Sequence, residues 1–213
     1  MMYGELSSYG IIHHKFEKEE LKFLYEEVNF LKDNFSKATP ANDELVGHIV
    51  NEYYLSGKTT GILQEMMMPL IQEYDARWPN FLARPFFDRD VAIGLKDAWV
   101  NFQKKYEYNP VHDHSGIFSF VLWLNIPFDR EEEDNTPYSR NVHPTARANG
   151  KFELLYTNCL GGIEGHRFPI DKSFEGVALL FPSTMKHCVY PFYTSDDYRI
   201  SVSGNYHYRI PSS

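Results

Sequence analysis

Apolar positions recur every three or four residues in the first part of the chain and then give way to alternation. Between Phe16 and Phe35, Leu21, Leu24, Val28 and Leu31 are separated by charged residues, which predicts an amphipathic helix. Ser36 to Asp43 (SKATPAND) carries Pro40 and small polar residues and is predicted as a loop. A second helical region is expected over Glu44 to Tyr54. A third is expected over Thr60 to Trp78, with Ile62, Met66, Leu70, Ile71 and Tyr74 as its stripe. The Met66, Met67, Met68 triplet fits gap-filling core better than a soft-metal surface. Pro79 and Pro85 close this half, and RPFFDRDVAIG reads as a turn into β-structure.

From about Val91 the runs are short, rich in β-branched and aromatic residues and bounded by turn formers: WVNFQKKY, IFSFVLWLNI, KFELLYT, EGVALLFP, KHCVYPF and YRISVSGNYHY. Helices first and strands afterwards predict an α+β, mainly β, chain with helices packed on one face of a sandwich or barrel. A single domain is expected over 1–213, with 1–90 as largely helical support and 91–213 as the β core. Asp129 to Gly150, polar and carrying an acidic run, interrupts the rhythm; it reads either as a lid that closes over a substrate or as a solvated insertion.

A formal charge of −8 with no Lys/Arg cluster beyond Lys104 and Lys105 argues against nucleic acid as a partner. Cys159 and Cys188 lie far apart with no metal spacing and are expected to be free, buried thiols. No signal-like start and no long apolar stretch occur, so a soluble, cytoplasmic protein without membrane partner is expected.

Chemistry concentrates in Trp99 to Pro127, WVNFQKKYEYNPVHDHSGIFSFVLWLNIP, which reads as strand, turn, strand with His112, Asp113 and His114 in the turn. Residues two apart share a side, so His112 and His114 can converge while Asp113 faces away. By the same rule the adjacent His13 and His14 oppose one another and make a poor metal pair. A non-haem iron site needs three ligands on one face, usually two histidines and a carboxylate. His187, which opens the run HCVYPF, can supply a third from a distant strand. Further on, Arg199, Ser201, Ser203 and Asn205 share one strand face and Ile200 and Val202 the other, giving a polar face with a guanidinium and a hydroxyl suited to a carboxylate.

On WVNFQKKYEYNPVHDHSG, FSFVLWLNIP, GVALLFPSTMKHCVYPF and YRISVSGN, the chain resembles the Fe(II)- and 2-oxoglutarate-dependent dioxygenases. It is most similar to prolyl-4-hydroxylase-like members of bacteria and phages. The resemblance implies a double-stranded β-helix, or jelly roll, and the cofactors Fe(2+), 2-oxoglutarate and O2. It implies His112 as first metal ligand and His187 as the distal one, with Arg199 and Ser201 on the far carboxylate of 2-oxoglutarate and Asn101 and Gln103 as further contacts. The reaction implied is hydroxylation of a small-molecule or peptide substrate.

The sequence departs from that family in one position: where it carries Asp or Glu two residues after the first His, this chain has His114, with Asp113 the only carboxylate at hand. An imidazole there also suits a three-histidine cupin-type metalloenzyme that does not use 2-oxoglutarate. A non-catalytic jelly-roll binding module is the remaining alternative.

Overall fold

The computed structural model describes residues 9–79, 81–82 and 92–209. In chain order the strands and helices are β1 (Ile12–Lys15), α1 (Lys22–Asp33), β2 (Asn51–Tyr54), α2 (Gly57–Arg77), β3 (Ala92–Gln103), β4 (Asn109–His112), β5 (Phe118–Asn125), α3 (Arg130–Asp134), β6 (Phe152–Thr157), β7 (Ile163–Phe168), β8 (Val177–Pro182), β9 (Lys186–Val189) and β10 (Arg199–Arg209). The strands form a six-stranded sheet, β1-β8-β5-β10-β3-β2, and a four-stranded sheet, β4-β9-β6-β7. All pairings are antiparallel. The molecule is thus mostly β, with helices gathered on the large sheet.

Period-2 alternation sorts the residues of the large sheet between two environments. On β5, Phe118, Phe120, Leu122 and Leu124 face α1 and α2, joined there by Val100 and Phe102 of β3 and Ile200, Val202 and Tyr206 of β10. The helices answer with Leu24, Val28 and Leu31 from α1 and Leu63, Met67, Ile71 and Tyr74 from α2. Full burial of a side chain of this size contributes about 1.5–3 kcal/mol. The intervening residues point the other way, where Val121, Trp123, Leu179 and Phe181 meet Phe152, Leu154 and Phe168 of the small sheet. α2 begins at Ser56, whose hydroxyl accepts from Thr59 N and donates to Glu27 of α1, tying the two helices together.

Three expectations are corrected. Glu44–Tyr54 is not a helix: Asn42–Glu44 is a 3-10 turn and Asn51–Tyr54 pairs with β3. Val46, Gly47, Ile49 and Val50 are weak helix formers, and pairing along an otherwise open sheet edge outweighs the helical pattern. Trp99–Pro127 is not a strand, a turn and a strand: His112, expected in the turn, ends a third strand, β4, that belongs to the other sheet, and β10 lies between β3 and β5. Cys159 is exposed; it and Cys188, which is buried, are both free. Strands β1, β4 and β7 also lie outside the predicted runs.

Residues 129–150 are docked. Asp129 caps α3, and Glu133 is fully buried, accepting from the backbone of Tyr193 and Thr194 and the Thr194 hydroxyl. The turn expected at RPFFDRDVAIG lies mostly outside the described residues. No helix among the described residues is long and apolar enough to cross a membrane.

Candidate active site

β4 and β9 pair so that His112 sits directly opposite His187. His114, two residues on, is fixed by its backbone N–H, which donates to Ser183 O at 2.9 Å. The three rings converge, with centroids 4.1 Å apart for His112 and His187, 4.9 Å for His112 and His114 and 5.0 Å for His114 and His187. Their ligand atoms all lie within 4.8 Å of one another. His112 Nδ1 donates to Pro110 O at 2.7 Å and His187 Nδ1 to Met185 O at 3.0 Å. Each bond sets the tautomer and leaves an Nε2 lone pair available, the usual arrangement of a metal-binding histidine.

Burial, reinforced by the neighbouring His112, lowers His114 to about 4 and His187 to about 3; burial lowers His112 as well. At neutral pH the cluster therefore offers three uncharged nitrogen donors, a set that fits a divalent first-row metal such as iron. Asp113 is turned outward, exposed and paired with Lys186 at 2.8 Å, which holds its carboxyl below the ordinary range. His13 and His14 lie on β1, away from the cluster.

The rings open on a cavity whose floor is the large sheet. The polar face of β10 lines it: Arg199, Ser201, Ser203 and Asn205, with Asn101 and Gln103 beside them on β3. Arg199 is 2% exposed. Its Nε donates to Gln103 Oε1 at 2.9 Å, Nη1 to Gly150 O at 2.6 Å, and Nη2 to Tyr190 O at 3.1 Å and to Gln103 Oε1. Every one of these acceptors is uncharged, so the cation has no carboxylate in contact among the described residues. Burial, then repulsion from Arg130, lowers it to about 9, which leaves it protonated at neutral pH. Phe128 and Phe192 pack against the guanidinium. Asn101 Nδ2 donates to Ser201 Oγ at 3.3 Å, and none of residues 129–150 lines the cavity.

A family model described as "Putative 2OG-Fe(II) oxygenase" matches residues 97–205, just over half of the chain. The chain belongs to the 2OG-Fe(II) oxygenases. It is accordingly an oxidoreductase of a family that uses Fe(II), 2-oxoglutarate and O2. No curated protein matches the sequence. Among solved structures, a Pseudomonas putida prolyl-4-hydroxylase aligns with a TM-score of 0.58 at 13% identity, over 95% of each chain. EvdMO1 aligns at 0.54 and 13% identity, over 95% of this chain and 48% of its own, so this oxygenase spans about half its length. A viral collagen prolyl hydroxylase from Paramecium bursaria Chlorella virus-1, solved as its 2OG complex, aligns at 0.47 and 11% identity, over 92% of this chain and 94% of that one. At these identities the likeness to the prolyl-4-hydroxylase and EvdMO1 is one of fold.

The expected residues His112, His114, His187, Arg199, Ser201 and Asn101 all reach the one cavity. Two further lining residues, Glu52 and Asn109, carry no signal in the sequence: Glu52 lies in the segment read as helix, and Asn109 in a stretch read as turn.

Proposed function

We propose that this oxygenase is a hydroxylase on a double-stranded β-helix, coupling oxidative decarboxylation of 2-oxoglutarate to succinate with oxidation of a small-molecule or peptide substrate. One observation carries the reading. Three neutral imidazoles with free ring nitrogens and a buried arginine without a carboxylate partner line the same cavity.

His112, His114 and His187 would hold the iron. When bound there, iron supplies the redox chemistry by which oxygen is divided between 2-oxoglutarate and substrate. The carbonyls of Pro110 and Met185 keep the Nδ1 protons of His112 and His187 away from the metal. Arg199, held rigid by Gln103, Gly150 and Tyr190, offers its remaining N–H and its charge to the distal carboxylate of 2-oxoglutarate. Ser201 adds its hydroxyl proton and Asn101 orients that hydroxyl. Trp123, Phe152 and Phe181 wall the metal side and exclude water. With His114 in place of a carboxylate, the first shell carries one negative charge fewer, which raises the potential of the bound iron.

Anaerobic titration of 2-oxoglutarate into Fe(II)-loaded protein tests this by its visible metal-to-ligand charge-transfer band. A band in the parent that is lost with His187→Ala and needs far more 2-oxoglutarate with Arg199→Ala is expected. Bound iron without a band would instead assign a three-histidine enzyme independent of 2-oxoglutarate, and no bound iron a binding module.

A further inference from the structure

The cavity has a second polar end that iron and 2-oxoglutarate leave unused. In the register of the large sheet Ser201 faces Asn101 across β10 and β3, and Asn101 faces Glu52 across β3 and β2. These three side chains form a row across the cavity floor, and with strands about 4.8 Å apart Glu52 stands roughly 10 Å from Ser201. Glu52 is 1% exposed yet lines the cavity. Its Oε2 receives one long bond, 3.3 Å from Asn42 Nδ2, and its Oε1 has no donor. No lysine or arginine among the described residues pairs with it.

Two further buried acceptors in the same cavity, Asn101 Oδ1 and Asn109 Oδ1, also lack donors. A Cβ on Gly47 would lie 2.5 Å from Asn109 Oδ1 and 3.0 Å from Glu52 Oε1, so these two oxygens converge on a backbone position that carries no side chain. Buried acceptors without donors are costly, and the cost is removed when a ligand supplies the protons.

We propose that Glu52, with Asn101 and Asn109, determines specificity by receiving a protonated amine, so that the substrate is an ammonium-bearing molecule held between Glu52 and the three imidazoles. The proposal rests on the reading of this cavity as the oxygenase active site. An ammonium brings three N–H donors and no acceptor, matching three unfilled acceptors and a carboxylate without a counterion. A hydroxyl brings a single donor and leaves the charge unmet, and a carboxylate is repelled. Burial, with Glu107 nearby, pushes the Glu52 carboxyl up to about 7, as expected of an acid whose cation is not yet in place.

The test uses Zn(II)- and 2-oxoglutarate-loaded protein, with n-butylamine, n-butanol and butyrate as probes and ligand-observed NMR as the binding readout. The amine should bind the parent at least about tenfold more tightly than the alcohol, and Glu52→Gln should weaken it by about tenfold or more. An alcohol that binds as well as the amine overturns the proposal, and so does a Glu52→Gln protein that holds the amine as tightly as the parent. If Glu52→Gln melts without a cooperative transition, Asn109→Leu replaces it, and undiminished amine binding in that variant overturns the proposal equally. A parent that shows the 2-oxoglutarate charge-transfer band but binds no amine overturns this proposal alone. A parent without that band overturns the active-site reading instead.

Discussion

The inner face of the large sheet has two halves. Over β5 and β8 it presents Val121, Trp123, Leu179 and Phe181 toward the small sheet, with Ser119, bonded to Asn205, at the border with the polar half. Over β10, β3 and β2 it presents Arg199, Ser201, Asn101, Gln103 and Glu52, and a cavity takes the place of packing. Burial hardly distinguishes the halves: Leu179 is 0% exposed and Arg199 2%. What differs is whether each buried group has what it needs. The apolar half is complete, whereas the polar half contains a cation without an anion, an anion without a cation and acceptors without donors. The first half is packed core, and the second keeps unmet polar groups along a cavity.

Substitutions should separate the two halves. The largest effect is expected from His187→Ala, which removes one of the three proposed metal ligands; affinity for iron, read from iron content after gel filtration, should fall by more than about a hundredfold, since even partners that only orient a ligand are worth 10–100-fold. Next comes Arg199→Met, which keeps bulk and removes charge. Losing one partner of a buried ion pair costs about 2–5 kcal/mol, so the 2-oxoglutarate concentration needed for half-maximal turnover should rise about thirtyfold or more. Leu179→Ala belongs to the other half: urea melts should show about 2–5 kcal/mol less stability, with 2-oxoglutarate dependence unaltered in the folded protein. If Leu179→Ala shifts cosubstrate dependence as strongly as Arg199→Met, the division between the halves fails.

The smallest effect is a pH dependence. Glu52 ionises near 7 in the fold and at its ordinary 4.5 in the unfolded chain. The folded state is therefore favoured fully below about pH 4.5, and that contribution is lost as pH rises through about 7. Between about pH 5 and pH 8, metal-free parent protein should lose stability relative to Glu52→Gln, and parallel profiles would show that Glu52 is not destabilised by its surroundings.

The polar half was also the more unevenly legible in the sequence. His112, His114, His187 and the alternating face of Arg199, Ser201, Ser203 and Asn205 could be read because strand periodicity fixes which residues share a side, and the structure brings them to one cavity. The α1 stripe and the strands β5, β6, β8 and β10 were equally visible, whereas α2 buries Leu63 and Met67 beside Leu70, Ile71 and Tyr74 and leaves the expected Ile62 exposed. Glu52 was not, because a short edge strand owes its conformation to β3, far along the chain, and the segment from Glu44 to Tyr54 around it spells a weak helix. Asn109 and the Gly150 and Tyr190 carbonyls around Arg199 were invisible for a related reason: they reach the site through turns and cross-sheet pairings that local pattern does not encode. The docking of residues 129–150 draws on Glu133, one acidic residue within an acidic run, together with Arg130 and the Gly150 backbone, and nothing in composition distinguishes Glu133 from its exposed neighbours.

The position of β10 has a bearing on how the molecule is made. β3 and β5 are synthesised before it, yet neither pairs with the other; each waits with an open edge for the same later strand. Until that strand emerges, two hydrophobic edges are available to other chains, the situation in which strands aggregate. The strand that joins the two parts of the sheet also carries Arg199 and Ser201 onto the cavity floor. A chain in which β10 has not yet paired therefore lacks both side chains on that floor, and completing the large sheet also completes the polar lining of the cavity.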